Sequence, residues 1–538
     1  MRRFGMLAVL AAAAGAAVLV NVAAGSGASG FFAPGNLLVS RSVYDNNPDN
    51  VQVGSTLPPG CTSGCGTAIA DGTYPYVFDN DLVDASFGVT SKILLDQLTP
   101  SGSLVNTLEI PNSSQNGVPP TKDQLVTSFS SKSELALNLA TGGSQVTFMG
   151  YVAPIDAIDV SNSNTPGVFD PTNPVPGSDY RAVAEVDQKG KLRFTETTAY
   201  SGNNGRAAIL NGQDDKLYTA GNAGNGGNPQ PDGVIVGAGA QILDPQVKAE
   251  VAQKPGDPTP VGSFNVTQLG DPADKIGKDT NFRGMTIFNH VLYYTKGSGG
   301  NGVNTVYFVD TTGDVCTNAN GVGLPEPGAA LPTSPLAFDP SVLQTKGLDP
   351  NNMCILNGFP TALKSKTSFP FGIWFANATT VYVADEGNGD NTFSNGTYAK
   401  AAAQKTAGLQ KWVFDSGTGQ WKLAYALQHG LELGQPYTIT GYPTGTNPAT
   451  GLPWTPATDG LRNITGEVNA DGTATIWAVT STVSGNGDQG ADPNKLVAIT
   501  DNVAATTLPN AESFATVRAA GSGEVLRGVS FTPGTIGQ

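Results

Sequence analysis

The stretch Phe371–Asp385, FGIWFANATTVYVAD, reads as two short apolar runs joined by a polar turn. Both runs are rich in aromatic and β-branched residues, so the stretch predicts a β-hairpin. Two further runs follow, LQKWVF (409–414) and WKLAYAL (421–427), separated by the turn Asp415-Ser-Gly-Thr-Gly419. They predict a second hairpin. Four strands in sequence, joined by short turns, form a unit that cannot bury both faces alone.

The first pair recurs. It returns as RAAILN (206–211) with KLYTAG (216–221), as RGMTIFNHVLYYTKG (283–297), and as RNITG (462–466) with TIWAVT (475–480). A more divergent copy is ELALN (134–138) with QVTFMG (145–150). Four antiparallel strands repeated radially describe a β-propeller. The chain ends predict how the ring closes. VLRGVSF (525–531) reads as a first strand with nothing after it to complete a sheet. NLLVSR (36–41) reads as a second strand, with the third and fourth at Phe87–Gln97 and Leu104–Ile110. A sheet shared by both termini closes the ring and hides an exposed edge.

The expected fold is therefore an all-β, six-bladed propeller occupying residues 31–538 as a single domain. A seventh blade within 223–281 or 313–369 stays open, and two β-sandwiches are the competing architecture. At about 85 residues per blade, the units are nearly twice the ~40–50 of compact propeller repeats. The excess falls in insertions at about 45–86, 154–180, 253–281, 313–369, 430–460 and 485–493.

Composition agrees with a turn-rich β protein. Gly contributes 68 of 538 residues and Pro 37, while charged residues are 14%. Gly has no three-residue period, which excludes collagen, and no long Ala/Glu/Lys/Leu-rich periodic stretch supports a coiled coil. Hydrophobic residues at 39% suffice for a large core. The net charge of −15 repels nucleic acid and anionic membrane.

Residues 1–24 read as a secretory signal. Arg2 and Arg3 precede an apolar run from Leu7 to Val22, and Val22-Ala-Ala-Gly25 offers a cleavage site after about Ala24. The run is short for a bilayer span, and an uncleaved anchor is the alternative. No later stretch spans a membrane, so a secreted, extracellular or periplasmic protein is expected, as a monomer. Four cysteines fit export. Local pairing, Cys61–Cys65 and Cys316–Cys354, is the economical choice of three connectivities, with a four-thiolate zinc site as the alternative.

Propeller geometry then places candidate side chains. The residue opening the first strand is Arg206, Arg283, Arg462 and Arg527 in four of the six units. First strands line the central channel, so four guanidinium groups would gather at one mouth. In a net acidic protein they would form a local anion site. The competing reading pairs each Arg with a neighbouring blade's acid, such as Asp385, Glu386 or Asp459. Gly/Asn-rich loops at 221–228, 297–302, 386–391 and 484–489 share that mouth. The insertion before Arg462 carries Tyr437, Tyr442 and Trp454, and Tyr442 and Trp454 would offer stacking faces for sugar rings; the competing reading is that Trp454 pins its own long loop. Asp385, Glu386 and Asp390 could supply oxygen ligands to Ca²⁺, without the full series of an EF-hand loop; no other cofactor is expected. With two His in the chain, a proton-moving pair would be His429 with Tyr437. No nucleophile elbow, Walker loop or zinc-protease helix is present.

Val381-Tyr-Val-Ala-Asp-Glu-Gly-Asn388 resembles the second-strand signature of NHL repeats, and the repeated units resemble secreted bacterial propellers of the NHL and SMP-30-like class. That resemblance implies a propeller whose members include lactonases, lyases and binding scaffolds, so it does not choose a function. The expected role is extracellular binding of an anionic ligand, an acidic glycan or cell-wall component, at the Arg mouth. A secreted lyase or hydrolase acting on an anionic polysaccharide, and a structural surface protein without a small-molecule ligand, are the alternatives.

Overall fold

The computed structural model describes residues 30–536 except 116–123, 169–172, 174, 223–239, 246–261, 264–280, 298–302, 313–314, 316–320, 334–352 and 364. Its strands form six small sheets in a ring, a six-bladed β-propeller. Blade 1 is built from both ends of the chain: Glu524–Phe531 is innermost, followed outward by Leu37–Val43, Thr90–Leu98 and Leu104–Glu109. The Leu37↔Phe531 to Val43↔Glu524 register is antiparallel, as the sequence predicts. Blade 2 runs outward from Asn138–Leu139 through Gln145–Tyr151 and Arg181–Asp187 to Leu192–Thr197. Blade 3 is Gly205–Asn211, Lys216–Gly221, Ala240–Leu243 and Gly262–Ser263.

Blade 4 is Phe282–Phe288, Val291–Lys296, Thr305–Val309 and Met353–Leu356, with Val322–Gly323 added in parallel at its edge. Blade 5 is Pro370–Asn377, Thr380–Asp385, Gly408–Asp415 and Gln420–Leu427. Blade 6 is Ala457–Val468, Thr473–Val483, Lys495–Asn502 and Ala515–Ala519. Each inner strand touches the next around the ring, and the sixth touches the first. The ring is thus complete with six, and neither a seventh blade nor paired sandwiches describe it.

Close approach at the hub explains the Gly that follows several ring positions. A Cβ on Gly284 would lie 2.2 Å from Phe371 O, on Gly372 2.4 Å from Arg462 O, and on Gly528 2.3 Å from Leu135 O. Only a residue without a side chain lets neighbouring inner strands approach this far. The blades are held face to face by apolar side chains, including Trp412 and Trp421 of blade 5 and Trp477 of blade 6, all buried. Trp374 is half-buried and stacks on Tyr382.

The insertions at 45–86, 154–180, 430–460 and 485–493 all leave from the face where inner strands begin. Three of them fold together there. Tyr44, Tyr74, Phe78, Phe87 and Phe129 pack with Tyr442 and Trp454 in one aromatic cluster that also takes in Val525 of the blade 1 inner strand. Tyr74 Oη donates to Ala491 O at 3.0 Å, and Asn447 Nδ2 to Asp79 Oδ1 at 2.8 Å. These bonds tie loops more than 350 residues apart into a lid.

Cys61 and Cys65 form a disulfide. Cys354 is also disulfide-bonded, while Cys316 lies outside the described residues. Residues 1–29, which include the expected signal sequence of residues 1–24, also lie outside them. Among the described residues no helix is long and apolar enough to cross a membrane.

Candidate functional site: the arginine hub

The feature that builds the site is a β-bulge repeated in five inner strands. The pairing skips Arg206 between Gly205 and Ala207, and Arg283 with Gly284 between Phe282 and Met285. It skips Phe371 with Gly372, Arg462 with Asn463, and Arg527 in the same way. A bulged residue leaves the ladder and its side chain is re-aimed. The five bulges therefore turn four arginines and one phenylalanine off their sheets at the same level of the ring. Blade 2, whose inner strand is only two residues long, has Glu134 before it instead.

The arginines are brought together as the sequence predicts. Arg206, Arg462 and Arg527 are buried and Arg283 is nearly so. Each feels the next: Arg283 lowers the pKa of Arg206, Arg462 that of Arg283, and Arg462 that of Arg527. In all three, loss of water around the guanidinium is the larger cause, and Arg527 falls to about 9.

Their partners divide them into two pairs. Arg283 and Arg462 share one carboxylate, Glu386, at 3.7 and 3.3 Å. This bears out the competing reading for one acid. Arg206 and Arg527 meet no carboxylate within ion-pair distance among the described residues. Arg206 donates to Asn204 Oδ1 (3.0 Å), to Phe282 O (2.9 Å) and to Asn281 Oδ1. Arg527 donates to Ser42 Oγ (3.1 Å) and to Ser131 O. Its Nη2 is buried with no hydrogen-bond partner among the described residues.

Glu134 is the second hub carboxylate and was not singled out in the sequence. It accepts from Thr127 Oγ1 (2.7 Å), from the Ser128 amide (3.0 Å) and from Tyr151 Oη. Its charge raises the pKa of both Arg206 and Arg527. The signal was present, since Glu134 opens the divergent copy where the other copies open with Arg. Four guanidinium groups thus face two carboxylates inside a region shielded from water.

Other sequence-predicted residues go elsewhere. Trp454 is not an exposed platform: it is 1% exposed, edge-on to Tyr76 at 4.8 Å between ring centroids. Tyr442 is likewise buried, donating to Asp492 Oδ1 at 2.9 Å. Both build the lid, because residues 45–86 supply the apolar partners that their own loop lacks. His429 and Tyr437 do not form an acid–base pair in the hub. His429 is exposed beyond the outer strand of blade 5, its Nδ1 3.2 Å from Glu512 O. Tyr437 donates to Pro493 O (2.9 Å) with Lys495 Nζ 3.8 Å above its ring, and burial pushes its hydroxyl well above the usual range.

The Ca²⁺ trio is also spent separately. Asp385 accepts from the Phe369 and Gly387 amides at 2.8 and 3.0 Å and from Gln410 Nε2 at 2.9 Å, and burial raises it to about 6. Glu386 faces the arginines, and Asp390 binds its own turn through Thr392. Among the described residues no group of three acids, His or Cys could hold a metal. Of the four Gly/Asn-rich loops, 223–228 and 298–302 lie largely outside the described residues, while 386–391 and 484–489 sit at the hub mouth. Gly389 N donates to Asp459 Oδ2 at 2.8 Å, and burial raises Asp459 to about 7.

No protein-family model matches the chain, and no curated protein does. Matches among solved structures include a Synechocystis apocarotenoid oxygenase mutant, at 9% identity and TM-score 0.33, covering 82% of this chain and 72% of that one. A protein from Lactobacillus plantarum matches at 9% identity and TM-score 0.28, covering 81% of each chain. An ulvan-type polysaccharide lyase with a bound saccharide matches at 11% identity and TM-score 0.26, covering 82% and 90%. Likenesses this distant carry no functional argument.

Proposed function

We propose that this propeller is an extracellular binding protein that captures an anionic group, a carboxylate or sulfate of an acidic glycan or cell-wall component, at its arginine hub. The observation that supports the reading is the charge imbalance of the hub. Two of four buried guanidinium groups have no carboxylate partner among the described residues, and one nitrogen of Arg527 has no partner there. Burying a cation without a directly paired carboxylate costs stability. A site that keeps such a cost is one where an anion restores the balance. Planar guanidinium groups suit a carboxylate or sulfate through paired hydrogen bonds. Binding is favoured over catalysis because His429 and Tyr437, the expected proton carriers, bond to other groups and not to the hub arginines.

Isothermal titration with oligogalacturonates and with sulfated oligosaccharides tests this. At least one class should bind without being cleaved. Arg527→Gln and Arg206→Gln should each weaken binding by roughly 10- to 100-fold, the loss expected for a charge-assisted hydrogen bond. Failure of both classes to bind, or equal binding by both variants, overturns the proposal.

A further inference from the structure

Away from the hub, blades 5 and 6 meet through a fully buried ion pair. Lys411, in the third strand of blade 5, points its Nζ at Asp501 Oδ2, in the third strand of blade 6, at 2.8 Å. Both side chains are 0% exposed. The surroundings are specific. Tyr382 Oη and Tyr425 Oη both donate to the Asp501 carboxyl, the latter at 2.6 Å to Oδ1. Lys411 Nζ also donates to Tyr425 Oη (3.0 Å) and Asn502 O (2.6 Å) and lies 5.2 Å from the Tyr425 ring centroid. Glu512 lies beside them: its Oε1 accepts from the amide of Asn502, the residue after Asp501, at 3.2 Å, and Asp501 and Lys411 are among the groups acting on it. One of its oxygens, Oε2, is buried and without a hydrogen-bond partner among the described residues.

We infer that Lys411 and Asp501 condense into an intramolecular isopeptide bond, with Glu512 as the proton shuttle, so that blades 5 and 6 are covalently stapled.

The geometry meets each chemical requirement. A Lys amine and an Asp carboxyl held in contact react as one molecule, and such positioning can supply effective concentrations of ~10⁵ M or more. Burial excludes the water that would hydrolyse or solvate the reactants. Two phenol hydroxyls aimed at the Asp501 oxygens polarise the carbonyl and hold the charge that develops on it. The step balances without a co-reactant. Nζ first passes a proton to the Asp501 carboxylate, giving a neutral amine and a carboxylic acid. The Nζ lone pair attacks Cγ, forming the Nζ–Cγ bond and moving the carbonyl electron pair onto oxygen. Glu512 takes the second Nζ proton and delivers it to the departing hydroxyl. The Cγ–O bond breaks, one water leaves, and Glu512 returns to its starting state. The product amide is neutral, so the reaction also removes two charges from a dry interface where their pairing repays desolvation poorly.

Raised Glu512, at about 7, suits a group that must both accept and release a proton near neutrality; its burial is the largest cause, with the neighbouring Asp501 next.

Mass spectrometry of the purified, reduced and denatured full chain is the test. The native protein should weigh one water less than the sequence running from its own N-terminus, identified in the same digest. Its protease digest should contain a branched peptide joining the segment with Lys411 to the segment with Asp501. Glu512→Gln should form the bond ~100-fold more slowly, as expected on losing a general acid–base group, and Lys411→Arg should carry the full mass. A native chain at full mass with linear Lys411 and Asp501 peptides overturns the inference. That reading comes from the native protein and does not depend on any variant folding. A branched peptide that forms equally fast in Glu512→Gln overturns the role of Glu512.

Discussion

The two ends of the hub are made by the same inner strands and differ in almost everything else. At the end where those strands begin, bulges aim Arg206, Arg283, Arg462 and Arg527 off the sheets, and the aromatic lid packs on the same face. At the other end the same strands line a cavity of about 350 Å³ walled by Leu137, Ile209, Ile287, Ile373, Ile464 and Phe531, one from each blade. There the C-terminal residues Thr535 and Ile536 reach the rim. In blades 3, 4 and 6 one strand thus presents an Arg at its start and an Ile two to four residues later. The difference shows what a bulge achieves in a propeller: it decouples one residue per blade from the alternation of the strand. The far end follows ordinary strand alternation, and its wall mixes these side chains with Asn138, Thr286, Thr465, Glu467 and Ser530. The charged end departs from it and carries the cost.

Three measurements would break or sharpen this contrast. The largest effect is expected at the lid. Trp454→Ala should destabilise the protein by about 4 kcal/mol in chemical denaturation, because a buried indole and its contacts are lost, whereas Ile464→Val at the opposite end should cost about 1 kcal/mol. Equal effects would mean that the lid does not belong to the cooperative unit. Next, Arg527→Met should raise stability by about 1–2 kcal/mol while weakening anion binding as Arg527→Gln does, since it removes a buried cation with no carboxylate within ion-pair distance among the described residues. A loss of stability instead would show that Arg527 holds the ring together and is not reserved for a ligand.

The smallest effect concerns pH. Burial raises Asp492 and Asp459 from 3.8 to about 7, and Asp81, with Asp488 beside it, likewise to about 7. In the folded state these carboxyls hold protons that the unfolded chain has released. Their contribution is therefore fully present below about pH 4 and is lost as pH rises through about 7. Thermal midpoints measured from pH 5 to pH 8 should fall with rising pH and level off above about pH 7. All three acids lie at the lid end, so a flat profile would place the weakest region elsewhere.

What could be read in advance depended on how local its cause was. The strand pairs, the blade shared by both termini and the Arg opening four copies are local patterns, and they predict the ring and the gathering of those arginines. No strand pattern holds Trp454 and Tyr442, so the sequence leaves open whether they face out or pin their own loop; residues 45–86, far away in the chain, bury them. Asp385, Glu386 and Asp390 are close in sequence, but backbone amides, two arginines and a local turn claim them one by one. Glu134 was legible in principle, since it opens a repeat copy, but one changed letter in a divergent copy reads as noise until the ring aligns it with the arginines. Lys411 and Asp501 carry no local signal: 90 residues separate them.

The order of apolar runs, turns and Gly by itself determined that this chain forms small antiparallel sheets, because strand alternation and turn chemistry act over a few residues. It also determined that Arg recurs at one position of the repeat. Only the closed tertiary structure decided which charges are balanced and which are not. Burial and pairing depend on groups from separate blades meeting at distances of a few ångströms, and such meetings exist only once the ring has closed.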